Sequence, residues 1–123
     1  MKLGEAIART DRMKPNGYTA EEKTRWLSEL DGTLWDEALQ WAEDGEKPEL
    51  PYDYDRDLDR ELAAADAYAD LYIKYLFAQI DFHNGDFSRY NASAALYQAG
   101  YDSYTAHLRR EKPPDRKGGF RNY

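Results

Sequence analysis

Cysteine is absent from the 123 residues, which removes disulfide frameworks, thiolate nucleophiles and Cys-ligated zinc. Histidine is nearly absent: His83 and His107 are the only two. No apolar run approaches the roughly 20 residues of a membrane span. Met1 to Thr10 lacks the apolar stretch of a signal peptide. These absences point to a protein of the cytoplasm. The chain contains neither a GxGxxG nor a P-loop, and the serines have no nucleophile elbow or neighbouring base. No enzyme is read from this inventory, and no cofactor.

Aromatic residues are what the chain has in abundance. They make up 15% of it, with eleven Tyr, three Trp and four Phe. Disordered chains rarely carry so many, because aromatic rings stabilise by burying area. With 41% hydrophobic residues and a length suited to one modest core, the sequence predicts a single folded domain.

Charge is unevenly placed. The net charge is −7, which argues against binding DNA by neutralising phosphates. From Arg109 to Tyr123 there are six basic residues against two acidic ones, so the first 108 residues carry 11 basic and 22 acidic side chains. The basic end also holds Pro113-Pro114 and Gly118-Gly119, which predict an extended, mobile tail. Residues 1–110 are therefore expected to form the domain and 111–123 a basic tail. That tail either contacts other copies or a partner, or it only solubilises.

Hydrophobic spacing predicts an all-α fold: a small bundle of about four helices with a long central loop. The first helix runs from Lys2 to about Arg12 on Leu3, Ala6 and Ile7, and stops at Lys14-Pro15-Asn16-Gly17. Thr19 and Glu22 form a capping-box pattern, with Tyr18 placed to staple the first turn. The second helix is expected from Ala20 to about Glu43, with Leu27, Leu30, Leu34, Ala38 and Trp41 as its buried stripe. Trp26 and Trp35 widen that stripe. Gly45 to Glu61 breaks the periodicity and reads as a long loop, with room for a short hairpin, pinned by Leu58 and Leu62. Long connections in small domains are often functional.

A third helix is expected from about Ala67 to Asn84, carrying Tyr68, Leu71, Tyr72, Tyr75, Leu76, Ile80 and Phe82. It ends at Asn84-Gly85. Asp86 then caps a fourth helix reaching about Arg110. Its residues Phe87, Tyr90, Ala94, Tyr97, Tyr101, Tyr104 and Leu108 alternate at spacings of three and four, the seam of a helix packed lengthwise on another. The short turn makes the last two helices an antiparallel hairpin. Their tyrosines either pack between the helices or present a second face to another protein.

The acidic run Asp53, Asp55, Asp57 and Asp59 invites a calcium reading. An EF-hand loop needs Gly at its sixth position and Glu at its twelfth, whereas counting from Asp53 gives Leu58 and Ala64. Counting from Asp55 places Arg60 at the sixth. No metal site is expected there. The run is read as a solvated loop or as a docking element for a basic surface. Together with Arg109, Arg110, Arg116, Lys117 and Arg121, it forms the candidate interface. The two histidines stand about 24 helical residues apart across the hairpin, roughly 30 Å, too far to share a site. Each is expected at the surface or its boundary.

Several strings in order carry a family resemblance. They are Lys14-Pro15-Asn16 with Tyr18, Glu21-Glu22-Lys23, Trp26-Leu27-Ser28-Glu29-Leu30-Asp31-Gly32, Tyr52-Asp53, and Asp57-Leu58-Asp59-Arg60-Glu61-Leu62. Tyr68-Ala69-Asp70-Leu71-Tyr72, Tyr75-Leu76, Ile80-Asp81 and Asn84-Gly85-Asp86-Phe87-Ser88-Arg89-Tyr90-Asn91 follow. From about Leu3 to Leu108 the chain resembles head–tail connector (adaptor) proteins of long-tailed phages and prophages of Gram-positive bacteria. The resemblance does not reach the tail after Arg110.

It implies a mainly helical, non-catalytic subunit of a ring beneath the portal. Its partners would be the portal protein, neighbouring copies and a tail-completion protein, with DNA passing through unbound and no membrane involved. Such a protein would sit in the host cytoplasm during assembly and then at the head–tail junction of the virion. An acidic channel lining would let DNA slide without sticking. Two other readings are an acidic DNA mimic or inhibitor that binds a basic host protein, and a metal-dependent nuclease built on Asp53 to Asp59.

Overall fold

In the computed structural model, which describes residues 1–43 and 45–111, four α-helices pack in chain order: α1 (Leu3–Met13), α2 (Ala20–Glu37), α3 (Asp70–His83) and α4 (Phe87–Glu111). The described residues contain no strand, only an isolated antiparallel bridge between Lys2 and Glu61. None of the described helices is long and apolar enough to cross a membrane. The all-α bundle is thus as the periodicity predicts.

Local chemistry explains where the helices start and turn. Thr19 Oγ1 accepts the Glu22 amide at 3.0 Å while Glu22 Oε1 accepts the Thr19 amide at 2.9 Å, closing the capping box at the head of α2. Tyr18 sits outside it with its ring edge-on to Trp26, centroids 5.5 Å apart. Gly85 takes a left-handed φ of +73° between α3 and α4. Asp86 then accepts the Arg89 amide as α4 begins.

The core lies between α3 and the faces of α1 and α2 that meet it, and α4 closes one side. Leu3, Leu27, Leu34, Tyr72, Leu76 and Ile80 are completely buried. Along α4 the alternating seam is observed: Tyr101, Tyr104 and Leu108 are buried, and Tyr90, Ala94 and Tyr97 half-buried. Phe87, at its start, is instead 61% exposed. The 25 residues of α4 extend about 37 Å against about 21 Å for the 14 of α3. The far end of α4 therefore runs past α3 and packs on the connection. There the Tyr104 hydroxyl accepts the Ala65 amide at 3.1 Å and the Tyr104 ring lies 4.8 Å from that of Tyr68.

The second helix is shorter than its apolar stripe suggests. It ends at Glu37, Ala38 leaves helical geometry at φ −150°, and a 3₁₀ turn follows at Leu39–Trp41. The tighter turn brings Leu39 into the core at 4% exposure and leaves Trp41 63% exposed. A continued helix would have buried Trp41 and turned Leu39 off the stripe. The third helix also starts later than expected, because Asp66–Tyr68 form a 3₁₀ turn before α3. Phe82, near the end of α3, is half exposed at the hairpin tip.

Between Ala42 and Ala65 the chain is the long connection that the broken periodicity predicts. It is sewn to the N-terminus by backbone bonds from Leu3 to Arg60, Gly4 to Leu58 and Leu62 to Met1. Leu62 is buried as a pin, whereas Leu58 is 39% exposed and holds through its carbonyl rather than its side chain. A Cβ on Gly4 would stand 3.1 Å from that carbonyl oxygen, so the close approach favours glycine.

Candidate functional site

At the centre of the molecule is a carboxylate that the sequence reading passes over. Asp31 has no exposure to solvent. Its Oδ2 accepts the Tyr52 hydroxyl at 2.5 Å and the Ala63 amide at 3.0 Å, and its Oδ1 accepts the Tyr72 hydroxyl at 2.6 Å. The Tyr72 oxygen in turn accepts the Ala64 amide at 2.7 Å. One turn earlier on α2, Ser28 Oγ accepts the Tyr52 amide and donates to the Thr24 carbonyl. Two side chains of α2 and one of α3 thus satisfy three backbone amides of the connection, which would otherwise be buried without partners.

Burial pushes the Asp31 carboxyl up from its ordinary value, against the downward pull of the three donors around it. Burial, and next the Asp31 charge, push the Tyr52 and Tyr72 phenols up as well, so both remain protonated donors. Both carboxylate oxygens of Asp31 are engaged by donors from the fold, and the residue has no exposure to solvent. Chemically it is a latch.

The signal for it lies in the sequence. Asp31 falls four residues after Leu27 and three before Leu34, an inward position on the stripe of α2. A carboxylate there must find donors from elsewhere in the fold.

The four aspartates of the connection divide by role. Asp57 is buried; its Oδ2 accepts the Asp53 amide at 2.8 Å and its Oδ1 pairs with Arg60 at 3.0 Å and Arg56 at 3.4 Å. Asp53 accepts the Asp55 and Arg56 amides through its own Oδ1, an Asx-type turn. Only Asp55 and Asp59 are exposed without such duties among the bonds of the described residues. The structure therefore does not present the run as one acidic face: Asp57 points inward. Among the described residues no group of three or more Asp, Glu or His side chains is arranged to hold a metal ion.

Arg109 and Arg110 are exposed at the end of α4. Arg116, Lys117 and Arg121 lie outside the described residues. Of the histidines, His83 is exposed with its ring 4.9 Å from Trp26, and His107 is half-buried with its ring 5.0 Å from Tyr68.

The surface carries two further features. A groove of about 760 Å³ runs between the connection and the far end of α4, floored by Leu39, Tyr104 and Leu108 and rimmed by Glu43, Glu46, Glu49 and Glu61. At the opposite end, Phe82, half exposed, and Phe87, 61% exposed, meet beside Tyr90 at the hairpin tip, with the Phe82 ring centroid 6.4 Å from Phe87 and 5.4 Å from Tyr90. Between them the outer face of α4 shows Ala92, Ala95, Leu96 and Ala99, with Leu96 60% exposed. No protein-family profile, curated protein or solved structure matches this chain.

Proposed function

We propose that this chain is a non-enzymatic head–tail connector subunit of a long-tailed phage or prophage, one copy of a ring that sits beneath the portal and carries the tail. The observation that carries the reading is the ordered set of connector-like strings from Leu3 to Leu108. Its support in the fold is that those strings coincide with the framework. Ser28 and Asp31, Tyr52 and Tyr72 lie in three separate strings and hold the connection to the helices, while Asp57, in a fourth, braces the connection from within.

Subunit contacts need exposed apolar surface. The Phe82–Phe87 tip and the small-residue outer face of α4 provide it on a 25-residue helix. The acidic body, with 22 acidic against 11 basic side chains before Arg109, suits a channel past which DNA slides without adhering.

Negative-stain microscopy of this protein with the portal encoded by the same genome, beside each component alone, tests the proposal. An added ring layer on the portal is the expected result. A well-formed portal that gains no layer overturns it.

A further inference from the structure

We propose that the acidic-rimmed groove between the connection and the end of α4 is the docking site of the chain's own basic C-terminal segment, residues 112–123. The inference does not depend on the connector reading. It rests on chemistry, position and reach.

The groove has an apolar floor, Leu39 with Tyr104 and Leu108, and a carboxylate rim. Glu49 is shared with Arg60 at 3.4 Å and Glu61 with the N-terminal ammonium at 3.0 Å. Glu43 and Glu46 have no ion pair with any other described residue. Lys47 also lines the groove, so these two carboxylates against one lysine leave the rim a net negative charge above an apolar surface.

Residues 112–123 have the complementary composition. Lys112, Arg116, Lys117 and Arg121 stand against Asp115 alone, and Phe120 and Tyr123 supply two aromatic rings for the floor. Exposed ion pairs taken singly contribute little, so the apolar floor matters as much as the rim.

Position selects the occupant. Leu108 lines the groove and α4 runs on to Glu111, so the segment begins one helical turn from its own site. Pro113-Pro114 disfavours continuation of the helix, and twelve residues reach at most about 40 Å. A tether this short holds the segment at an effective concentration on the order of millimolar. A separate copy matches that only in concentrated solution.

Because the chain has no cysteine, Asn122→Cys gives a single attachment point for a spin label on the otherwise intact protein. In nitrogen-15-labelled protein, amide-proton relaxation should be enhanced several-fold at Gly45, Glu46, Lys47 and Ala63 relative to Gly85 and Arg89 at the hairpin tip. The enhancement should be unchanged on dilution and largely lost when Glu43 and Glu46 are both replaced by Lys. Uniform relaxation along the chain, or enhancement that survives the double replacement, overturns the proposal. So does enhancement in a mixture in which label and isotope sit on different molecules, since the occupant would then be a second copy.

Discussion

The Tyr72 hydroxyl donates to Asp31 at 2.6 Å while accepting the Ala64 amide at 2.7 Å, so one oxygen joins α3, α2 and the connection. Tyr72→Phe removes both bonds at once. It leaves the buried Ala64 amide without a partner and Asp31 short of a donor. An orphaned buried group costs about 1–3 kcal/mol, so Tyr72→Phe should lose about 2–3 kcal/mol. Tyr52→Phe removes only the Asp31 bond and should lose about half as much. Urea unfolding of the two variants against wild type measures the difference.

The same carboxylate gives stability a pH dependence of unusual sign. Its folded pKa is raised, chiefly by burial. The folded state therefore holds the Asp31 proton more tightly than the unfolded chain. The stabilisation is fully present below the unfolded value, about 3.9, and is lost as pH rises through the folded value. Asp31→Asn removes this titration and keeps the shape. The stability of wild type relative to Asp31→Asn should decline as pH rises, which paired urea titrations across acidic and neutral pH would record. A flat difference would mean that the three donors offset the burial.

How legible this fold was depends on the distance over which each residue finds its partner. The Thr19–Glu22 capping box, the Asn84-Gly85 turn and the alternating seam of α4 are local patterns, and all three form. The end of α2 was misread because Leu39 and Trp41 are both apolar, and only the packed core decides which one turns inward. Asp31 was passed over because its partners lie 21, 32 and 41 residues away. Composition likewise could not separate Asp57 from Asp55. The difference is that Asp57 lies four residues after Asp53, where its carboxylate closes a turn.

Two glycines should respond oppositely to alanine. A Cβ on Gly45 would stand 2.0 Å from the Leu39 carbonyl oxygen, a backbone atom that can retreat only by opening the 3₁₀ turn. Forcing such an overlap costs about 1–3 kcal/mol. A Cβ on Gly17 would meet nothing within 4 Å, and Gly17 does not have a positive φ. Gly17→Ala should therefore stabilise by about 0.4–1 kcal/mol by restricting the unfolded chain. Thermal unfolding of both variants should give melting shifts of opposite sign.

The aspartate run offers the sharpest separation of structural from docking roles. The Asp57 carboxyl is held below its ordinary value, first by the hydrogen bond from the Asp53 amide and then by Arg56 and Arg60. A depressed pKa stabilises above the unfolded value, and the effect is lost as pH falls through the folded one. Asp57→Asn should therefore lower the urea midpoint at neutral pH and lose progressively less, relative to wild type, towards acid. Asp55→Asn and Asp59→Asn remove exposed charges and should leave the midpoint nearly unchanged. If the run docks on a basic partner, Asp55→Asn and Asp59→Asn should weaken portal binding at intact stability. Asp57→Asn should weaken it only to the extent that the connection loosens. Binding that follows stability across all three variants would assign the whole run to holding the connection in place.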